Sequence, residues 1–307
     1  MYKLFRWYNQ NRFKIWTGII VIIFVIVMIH LLNNFIREEN QEKKLDKKET
    51  TSNVVSYHNE SKSIISGGEV SNQYKNSFGK LIDEFYTYCI NHQPEQAYEL
   101  LSSEMKELRY HTESLFKKLY YEERFQGNKQ YSFQSWSNGN GIYIYIVKIF
   151  DDMLATGKSS NKYIEDYITV VSEEDEYKLN IDGYIGKERI GKRANNELLN
   201  VEVSMKERYT NYEIYTFKIK NNTYDTILLD TRKYANTICL LDERKNRFSA
   251  LLYENKEEDF ELYPQEAKTV KIKFNVVYRN NLKIKEIYFN DITKEGNEER
   301  ESLMIEL

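Results

Sequence analysis

The most apolar part of the chain lies close to its start. This run begins at Ile15, ends at Leu32 and contains no Lys, Arg, Asp or Glu. At about 1.5 Å per residue a helix over 15–32 spans about 27 Å, and an extension to Ile36 covers a hydrocarbon core of about 30 Å. A surface helix of a soluble protein carries a polar stripe, and this run has none. The pattern therefore predicts a transmembrane anchor at 15–36.

A cleaved signal peptide is the alternative interpretation, because a basic segment before an apolar run is typical of both. The run is longer than the roughly 7–15 residues of a signal peptide, and no small-x-small cleavage site follows it. Trp7, Tyr8, Phe13 and Trp16 lie at its N-terminal side, where aromatic rings prefer the headgroup region. We therefore predict an uncleaved anchor.

The charges near the anchor indicate its orientation less clearly than the apolar run indicates its existence. Four Lys or Arg residues precede the run and five follow it within a similar distance, so the positive-inside rule is nearly balanced. A short basic tail stays inside easily, whereas a long domain is translocated largely regardless of its charge. We predict a cytoplasmic tail at 1–14, a single span, and an extracellular body at the cell membrane.

Residues 37–72 are first charged and then rich in Ser, Asn and Gly, a composition that predicts a linker or stalk. Helical patterns follow it. From Phe78 to Ile90, apolar residues recur at three- and four-residue spacing. Pro94 suits a first turn and begins a second apolar stripe that continues to residue 108, and Thr112 is a plausible cap for a third helix ending at Tyr121.

After Gly127 the apolar period changes to two residues. Alternation predicts strands at 129–136, 141–150, 163–172 and 177–185, with turn residues between them. Three helices followed by four long antiparallel strands predict an α+β fold, in which a curved sheet wraps around the helices.

Two segments of this region carry a resemblance to a known family. These are QPEQAYELLSSEM and EDYITVVSEEDEYKLNIDGYI, in which Tyr177 is the aromatic residue that enters the last strand. Their order resembles the cone-shaped NTF2-like domains of exported Gram-positive proteins. The resemblance implies an NTF2-like domain at 73–192, similar to the exported parts of membrane proteins in conjugation and type IV secretion channels.

The remaining residues predict a second, all-β domain at 196–307, after the turn at Asn195-Asn196. Seven short strands are predicted at 199–208, 212–220, 225–230, 237–241, 248–253, 267–277 and 282–290. This spacing predicts a β-sandwich. FKIKNNTYDTILL and ELYPQEAKTVKIKFNV resemble small bacterial immunoglobulin-like modules, although the Cys–Trp–Cys set of antibody domains is missing. The tail after Asp291 is expected to be loose, except for a strand at 303–305.

Composition narrows the choice of partners. The net charge is −3 with both signs interleaved, which argues against a nucleic-acid surface. Cys89 and Cys239 lie too far apart in sequence to suggest a disulfide framework or a metal cluster. The abundance of Lys, Asn, Ile, Glu and Tyr is typical of an AT-rich bacterial genome. We predict the lipid bilayer (through 15–32) and other envelope proteins as partners; a homo-oligomer also fits the sequence.

Reactive residues are few. Cys89 with His92 or His111 is the nucleophile and base pair that the folded region offers, but Cys89 also falls on the apolar stripe of the first helix. The acidic runs lack the ligand spacing and the glycine of a calcium loop. We therefore predict no catalytic, cofactor-binding or metal-binding residue, no cofactor, and no enzymatic activity.

One candidate site remains, a pocket between the predicted sheet and helices. Its inward-facing candidates are all aromatic and would suit an apolar ligand or the side chain of a partner. They are Phe85, Tyr88, Phe116, Tyr120, Phe133, Trp136, Tyr143, Tyr145 and Tyr167. A filled core is the simpler interpretation of the same residues.

Two functions fit these features. The first is a single-pass, membrane-anchored extracytoplasmic scaffold or assembly protein, in a conjugation or secretion apparatus by the resemblance. The second is a tethered NTF2-like domain that senses or binds a ligand, or acts like an enzyme. Exposed tyrosines at sheet edges and a closed core would favour the first; an open pocket with convergent polar groups would favour the second.

Overall fold

A computed structural model describes residues 57–58, 64, 72–152, 162–230, 237–297 and 299–307. The predicted tail and anchor lie outside these residues, as does most of the predicted linker. None of the described helices is both long enough and apolar enough to cross a bilayer. The described residues from Tyr57 to Leu307 belong to one compact unit.

One helix of 19 residues and several short ones precede a long series of strands. The helices are α1 (Asn72–Ile90), α2 (Pro94–Glu99), α3 (Ser103–Leu108), α4 (Glu113–Phe116) and α5 (Glu122–Arg124), with a π-helical turn at Lys117–Tyr121. The strands are β1 (Tyr57–His58), β2 (Lys129–Gly139), β3 (Ile142–Asp151), β4 (Tyr163–Glu173), β5 (Glu176–Asn180), β6 (Tyr184–Asn195), β7 (Leu199–Tyr209), β8 (Glu213–Asn221), β9 (Ile227–Leu228), β10 (Ile238–Asp242), β11 (Arg247–Ser249), β12 (Glu261–Leu262), β13 (Ala267–Phe274), β14 (Ile284–Lys294) and β15 (Arg300–Glu306).

The predicted fold class is wrong. We expected an α+β protein with an NTF2-like cone of three helices on a sheet, followed by an immunoglobulin-like sandwich. About half of the described residues are in strands and about a fifth are in helices, so this part of the protein is mostly β. No three-helix cone of the NTF2-like type occurs in it.

The second predicted helix fails for a specific reason. The apolar stripe from Pro94 to residue 108 continues through residues 100–102, but the helix ends at Glu99 and Leu101 forms a parallel bridge with Leu179 of β5. Leu179 N donates to Leu100 O at 2.9 Å, and Ser102 N donates to Leu179 O at 3.0 Å. The backbone thus covers the edge of β5, a tertiary contact that outweighs local helical preference.

Ser102 starts α3 and fixes it to the sheet. Its buried hydroxyl accepts from Met105 N at 3.0 Å and donates to Asn180 Oδ1. Replacement of Ser102 by Ala should lower the free energy of unfolding by about 1–2 kcal/mol, the usual cost of a lost N-cap. Urea denaturation measures this loss. The exposed Ser114 provides the control, because Ser114→Ala should change little; equal effects of the two substitutions would contradict the prediction.

The strands form three sheets. The first has the order β1-β2-β3-β4-β5, and the second has the order β13-β8-β7-β6. The third has the order β11-β10-β14-β9-β12, with β15 paired to β14. The helices cover the first sheet and share one apolar core with it. The second and third sheets share another, in which the rings of Phe217 and Phe289 lie 5.3 Å apart.

Three further predictions are corrected. The strand predicted at 177–185 is two strands, because the chain turns at Asp182 and Gly183 (φ +58° and +70°) and β6 joins the second sheet. The tail after Asp291 is not loose, since β14 continues to Lys294 and pairs with β15. Within the predicted linker, β1 pairs in parallel with β2. The predicted boundary at Asn195-Asn196 coincides with the β6–β7 hairpin.

The β2–β3 hairpin packs against the loop that leads into β14. Asn280 Oδ1 accepts from Ser137 Oγ at 2.8 Å and from the Tyr278 hydroxyl at 2.7 Å. A Cβ at Gly139 would lie 2.5 Å from Asn280 Nδ2, so a larger residue at this hairpin position would force the amide to move. A small apolar cluster that includes Trp136 and Tyr278 completes the contact. We call this contact the junction.

Candidate functional site

The nine predicted pocket residues divide between two places. Phe85, Phe116 and Tyr120 are fully buried and in ring contact, with Phe116 and Tyr120 stacked at 5.3 Å and Phe85 at 5.9 Å from Tyr120. The other residues of this helix-and-sheet core are Phe133 and Tyr145, which are buried, and Tyr88 and Tyr143, which are partly buried. Trp136 and Tyr167 lie instead in the junction cluster, 4.9 Å apart. Their role as pocket residues stays a prediction.

A buried polar network lies among these rings, and the sequence analysis did not identify it. Asp166 in β4 accepts through Oδ2 from the hydroxyls of Tyr120 at 2.5 Å and Tyr86 at 3.3 Å. Its Oδ1 accepts from the backbone N–H groups of Tyr167 at 2.8 Å and Asp182 at 3.1 Å. Every oxygen of this carboxylate is therefore satisfied within the protein.

The alternation of β4 contained a signal for this residue. Asp166 lies two and four residues before Ile168 and Val170, which are buried, so the three side chains share the inward face of the strand. A carboxylate on an inward face needs donors, and tyrosine hydroxyls can supply them. A search for charged residues in register with apolar ones would have found Asp166.

Asp182 extends the network toward two arginines. It accepts from Arg124 Nη2 at 2.5 Å and from the Tyr110 hydroxyl, and Arg109 Nη1 lies 3.3 Å from it. The Arg124 guanidinium also lies 4.4 Å from the centroid of the Tyr120 ring. The two carboxylates and the two guanidinium groups balance in charge. Through Asp182, Arg124 connects α5 to the turn between β5 and β6, and Arg109 connects the loop before α4 to the same turn.

The pKa values of this network indicate a role in stabilising the fold and not in catalysis. Burial, reinforced by the charge of Asp182, raises the pKa of Asp166 to about 6. Burial and the charge of Asp166 raise the pKa values of Tyr86 and Tyr120 well above the ordinary value. Both hydroxyls therefore stay protonated and act as hydrogen-bond donors to the carboxylate.

This carboxyl group should make stability depend on pH. Between about pH 4 and pH 6 the folded protein keeps a proton on Asp166 that the unfolded chain has released, so stability falls as pH rises through this window, by up to about 3 kcal/mol. Asp166→Asn has no such proton and can still donate to a tyrosine oxygen. Urea unfolding of both proteins from pH 4 to pH 7 tests this. We expect the wild type to lose stability relative to the variant as pH rises, and parallel pH profiles would contradict it.

The cysteine and histidine candidates do not meet. Cys89 is fully buried, and burial raises the pKa of its thiol well above the ordinary value. His92 Nδ1 lies 2.6 Å from the Tyr121 hydroxyl instead, and His111 is exposed. Cys239 is also a buried free thiol, and it accepts from Arg247 Nε at 3.0 Å. Among the described residues, no group of His, Cys, Asp or Glu is arranged to hold a metal ion.

Known proteins do not identify the chain. No protein-family model matches it, and neither does any curated protein or any solved structure. The family resemblances therefore gain no support from relatives, and the exposed features of the chain itself are the basis for a functional proposal.

Several exposed aromatic side chains lie on connections between the C-terminal strands, and Tyr253, in a 3-10 turn after β11, is one of them at 77% exposed. Tyr224, between β8 and β9, is 87% exposed, and Tyr263, between β12 and β13, is 58% exposed. The two loops are joined by the buried Asn221, whose Nδ2 donates to the carbonyls of Tyr263 at 2.9 Å and Asp225 at 2.8 Å. Gln265 adds a backbone bond to Thr223 O at 3.2 Å. We call this surface the tyrosine loops.

A groove lies on each side of the loop that forms the junction. One has a volume of about 540 Å³ and is lined by Trp136 and Asn138 from β2 together with the loop after β13. The other, of about 510 Å³, lies between the same loop and strands β6 to β8. Of the nine predicted pocket residues, only Trp136 lines either of these two grooves.

Proposed function

We propose that this protein is a single-pass, membrane-anchored extracytoplasmic scaffold or assembly protein that binds other envelope proteins through the tyrosine loops. Residues 15–32 hold it in the bilayer, with the N-terminus in the cytoplasm. The observation that carries the proposal is the exposure of Tyr224 and Tyr263 on loops that are already fixed by internal hydrogen bonds.

Tyrosine on a preformed loop suits protein recognition. Its ring offers a large apolar contact and its hydroxyl a hydrogen bond, which explains the enrichment of tyrosine in interfaces. Binding costs less when the loop does not have to become ordered, and Asn221 and Gln265 already hold both loops. An exposed ring that contributes little to folding is therefore available for a partner.

The alternative function is less well supported. A tethered ligand-binding or sensing domain expects an open pocket among the predicted aromatic residues, whereas Phe85, Phe116 and Tyr120 fill the space between helices and sheet with ring contacts. The link to conjugation or secretion relied on a cone fold that the described residues do not form, so the proposal does not include it.

Site-specific crosslinking tests the binding surface. A photo-reactive amino acid replaces Tyr224 or Tyr263 in the full chain, expressed in its native cells, and Tyr163 is the matched control because it is 50% exposed on the first sheet. We expect one protein adduct from positions 224 and 263 and none from 163. Adducts from all three positions alike, or from none, would reject the proposal.

A second measurement separates binding from folding. The double variant Tyr224→Ser, Tyr263→Ser should lose the adduct partner in co-purification while its unfolding midpoint stays close to that of the wild type, because both side chains are exposed. Retained co-purification would show that these rings do not bind the partner.

The predicted membrane position has its own test. The full chain should remain in the membrane pellet after carbonate extraction, and protease added to whole cells should digest the body. Recovery of the chain in the supernatant would overturn the anchor, and a body protected until lysis would overturn the orientation.

A further inference from the structure

Two basic residues of β7 form part of the inner wall of the 510 Å³ groove beside the junction. Strand β7 contains a β-bulge between Val203 and Met205, and after it Lys206 pairs with Tyr215 and Arg208 pairs with Glu213. Tyr215 is fully buried in the core between the second and third sheets. Because directly paired residues share a face, Lys206 and Arg208 lie on the inner face of the sheet, where it borders the groove.

Positive charge predominates in this groove. Its lining includes Lys206, Arg208, Arg279, Lys283 and Lys285, and the acidic residues are Glu188 and Glu213. Lys206 is neutralised by Glu188, with Nζ and Oε2 3.0 Å apart, and Lys283 and Lys285 share the carboxylate of Glu243 at 3.9 and 3.7 Å. An excess of cations on the wall remains.

Arg208 lines this wall and faces the buried Glu213, whose carboxylate its charge stabilises. Its Nε atom is buried and has no hydrogen-bond partner among the described residues. The facing Glu213 directs its carboxylate to the Tyr215 hydroxyl at 2.8 Å. A buried N–H without an acceptor is costly, and an oxyanion in the groove would bring acceptor oxygens to the same guanidinium group. The planar guanidinium matches carboxylate and phosphate oxygens in pairs.

We propose that the groove binds a small ligand with an oxyanion group, a carboxylate or a phosphate, which contacts the Arg208 guanidinium on the inner wall and Arg279 at the exposed rim. A volume of about 510 Å³ is of the size that small-molecule sites have. This site is separate from the tyrosine loops and does not depend on the proposed function. Either protein binding or anion binding can fail without the other.

Isothermal titration calorimetry of the full chain in detergent tests the proposal. The probes are inorganic phosphate and succinate, each at an ionic strength held constant with sodium chloride, so that the two arms distinguish a phosphate from a carboxylate ligand. We expect saturable binding of at least one probe. Arg208→Gln should weaken it about tenfold or more, as expected for loss of a hydrogen bond to a charged group, and Arg208→Lys should weaken it less.

The chain contains a matched control groove. Lys218 lies with Arg193, Lys220 and Lys268 in a separate basic groove on the second sheet. Lys218→Gln removes one positive charge there and should leave the affinity for the probe unchanged. Absence of saturable binding to the wild type, or equal weakening by Lys218→Gln and Arg208→Gln, would overturn the proposal.

Arg208→Gln removes an N–H that has no partner, and it also removes a positive charge that faces the buried Glu213. If Arg208→Gln does not fold, Arg279→Gln replaces it as the test, since Arg279 is exposed and contributes little to packing. We expect at least a threefold weaker affinity from Arg279→Gln, and an affinity equal to that of the wild type would overturn the proposal.

Discussion

Replacement of Asp182 by Ala should lower the free energy of unfolding by about 3–5 kcal/mol, the usual result when one partner of a buried ion pair is removed. The side chain of Asp182 is only 5% exposed, and it binds Arg124, which is itself largely buried, at 2.5 Å. Its loss leaves this guanidinium without its carboxylate and removes the acceptor of the Tyr110 hydroxyl. The left-handed backbone, at φ +58°, adds to the cost because Ala avoids it.

Asp182→Asn is the matched control for this prediction. Asn adopts the left-handed conformation readily but has one acceptor oxygen, whereas Arg124 and the Tyr110 hydroxyl bind different oxygens of Asp182. It therefore loses the charge and one of these two acceptors, and keeps the other. We expect its cost to be smaller than that of Asp182→Ala. Urea denaturation at neutral pH measures both variants. A cost below about 1 kcal/mol for Asp182→Ala would show that the network contributes little to stability.

Phe217→Ala should also cost about 3–5 kcal/mol. Phe217 is fully buried in β8, and its ring meets Phe289 of the third sheet edge to face at 5.3 Å. Its removal leaves a cavity between the two sheets that the surrounding strands can fill only in part. Chemical denaturation of the full chain in detergent gives the loss.

Two further substitutions serve as controls for the effect of Phe217→Ala. Phe217→Leu keeps most of the apolar volume and should cost less than Phe217→Ala. Tyr224→Ala removes a ring of similar size from an exposed position and should change stability by no more than about 0.5 kcal/mol. If Phe217→Ala and Tyr224→Ala have equal effects, the second and third sheets do not share a core.

Sequence patterns predict most of the strands and fail where tertiary contacts intervene. The alternation at Tyr215, Phe217 and Ile219 places β8 within one residue of its bounds, and Thr112 accepts from Leu115 N as the predicted cap. Local spacing is sufficient for these elements, because burial on one face determines them. The fold class failed because the first predicted helix forms at full length, whereas short helical pieces take the place of the second and third.

The candidate site depended on contacts that local patterns do not contain. The hydroxyls of Tyr86 and Tyr120 meet Asp166 across 80 and 46 residues of sequence, and neither tyrosine differs in its local pattern from one that only packs. The basic groove wall was hidden by the bulge in β7, since strict alternation places Arg208 on the opposite face from Tyr215. The extra residue of the bulge places Arg208 on the same face as Tyr215.

The same bulge means that one strand contributes to two cores. Before it, Val201 and Val203 face the C-terminal core; after it, Tyr209 packs with the aromatic residues of the helical layer. A deletion of one residue here would move every later side chain of β7 to the opposite face of the sheet. Homologous chains should therefore vary in the identity of residues 204 and 205 but keep their number, whereas insertions should accumulate in the surface turns.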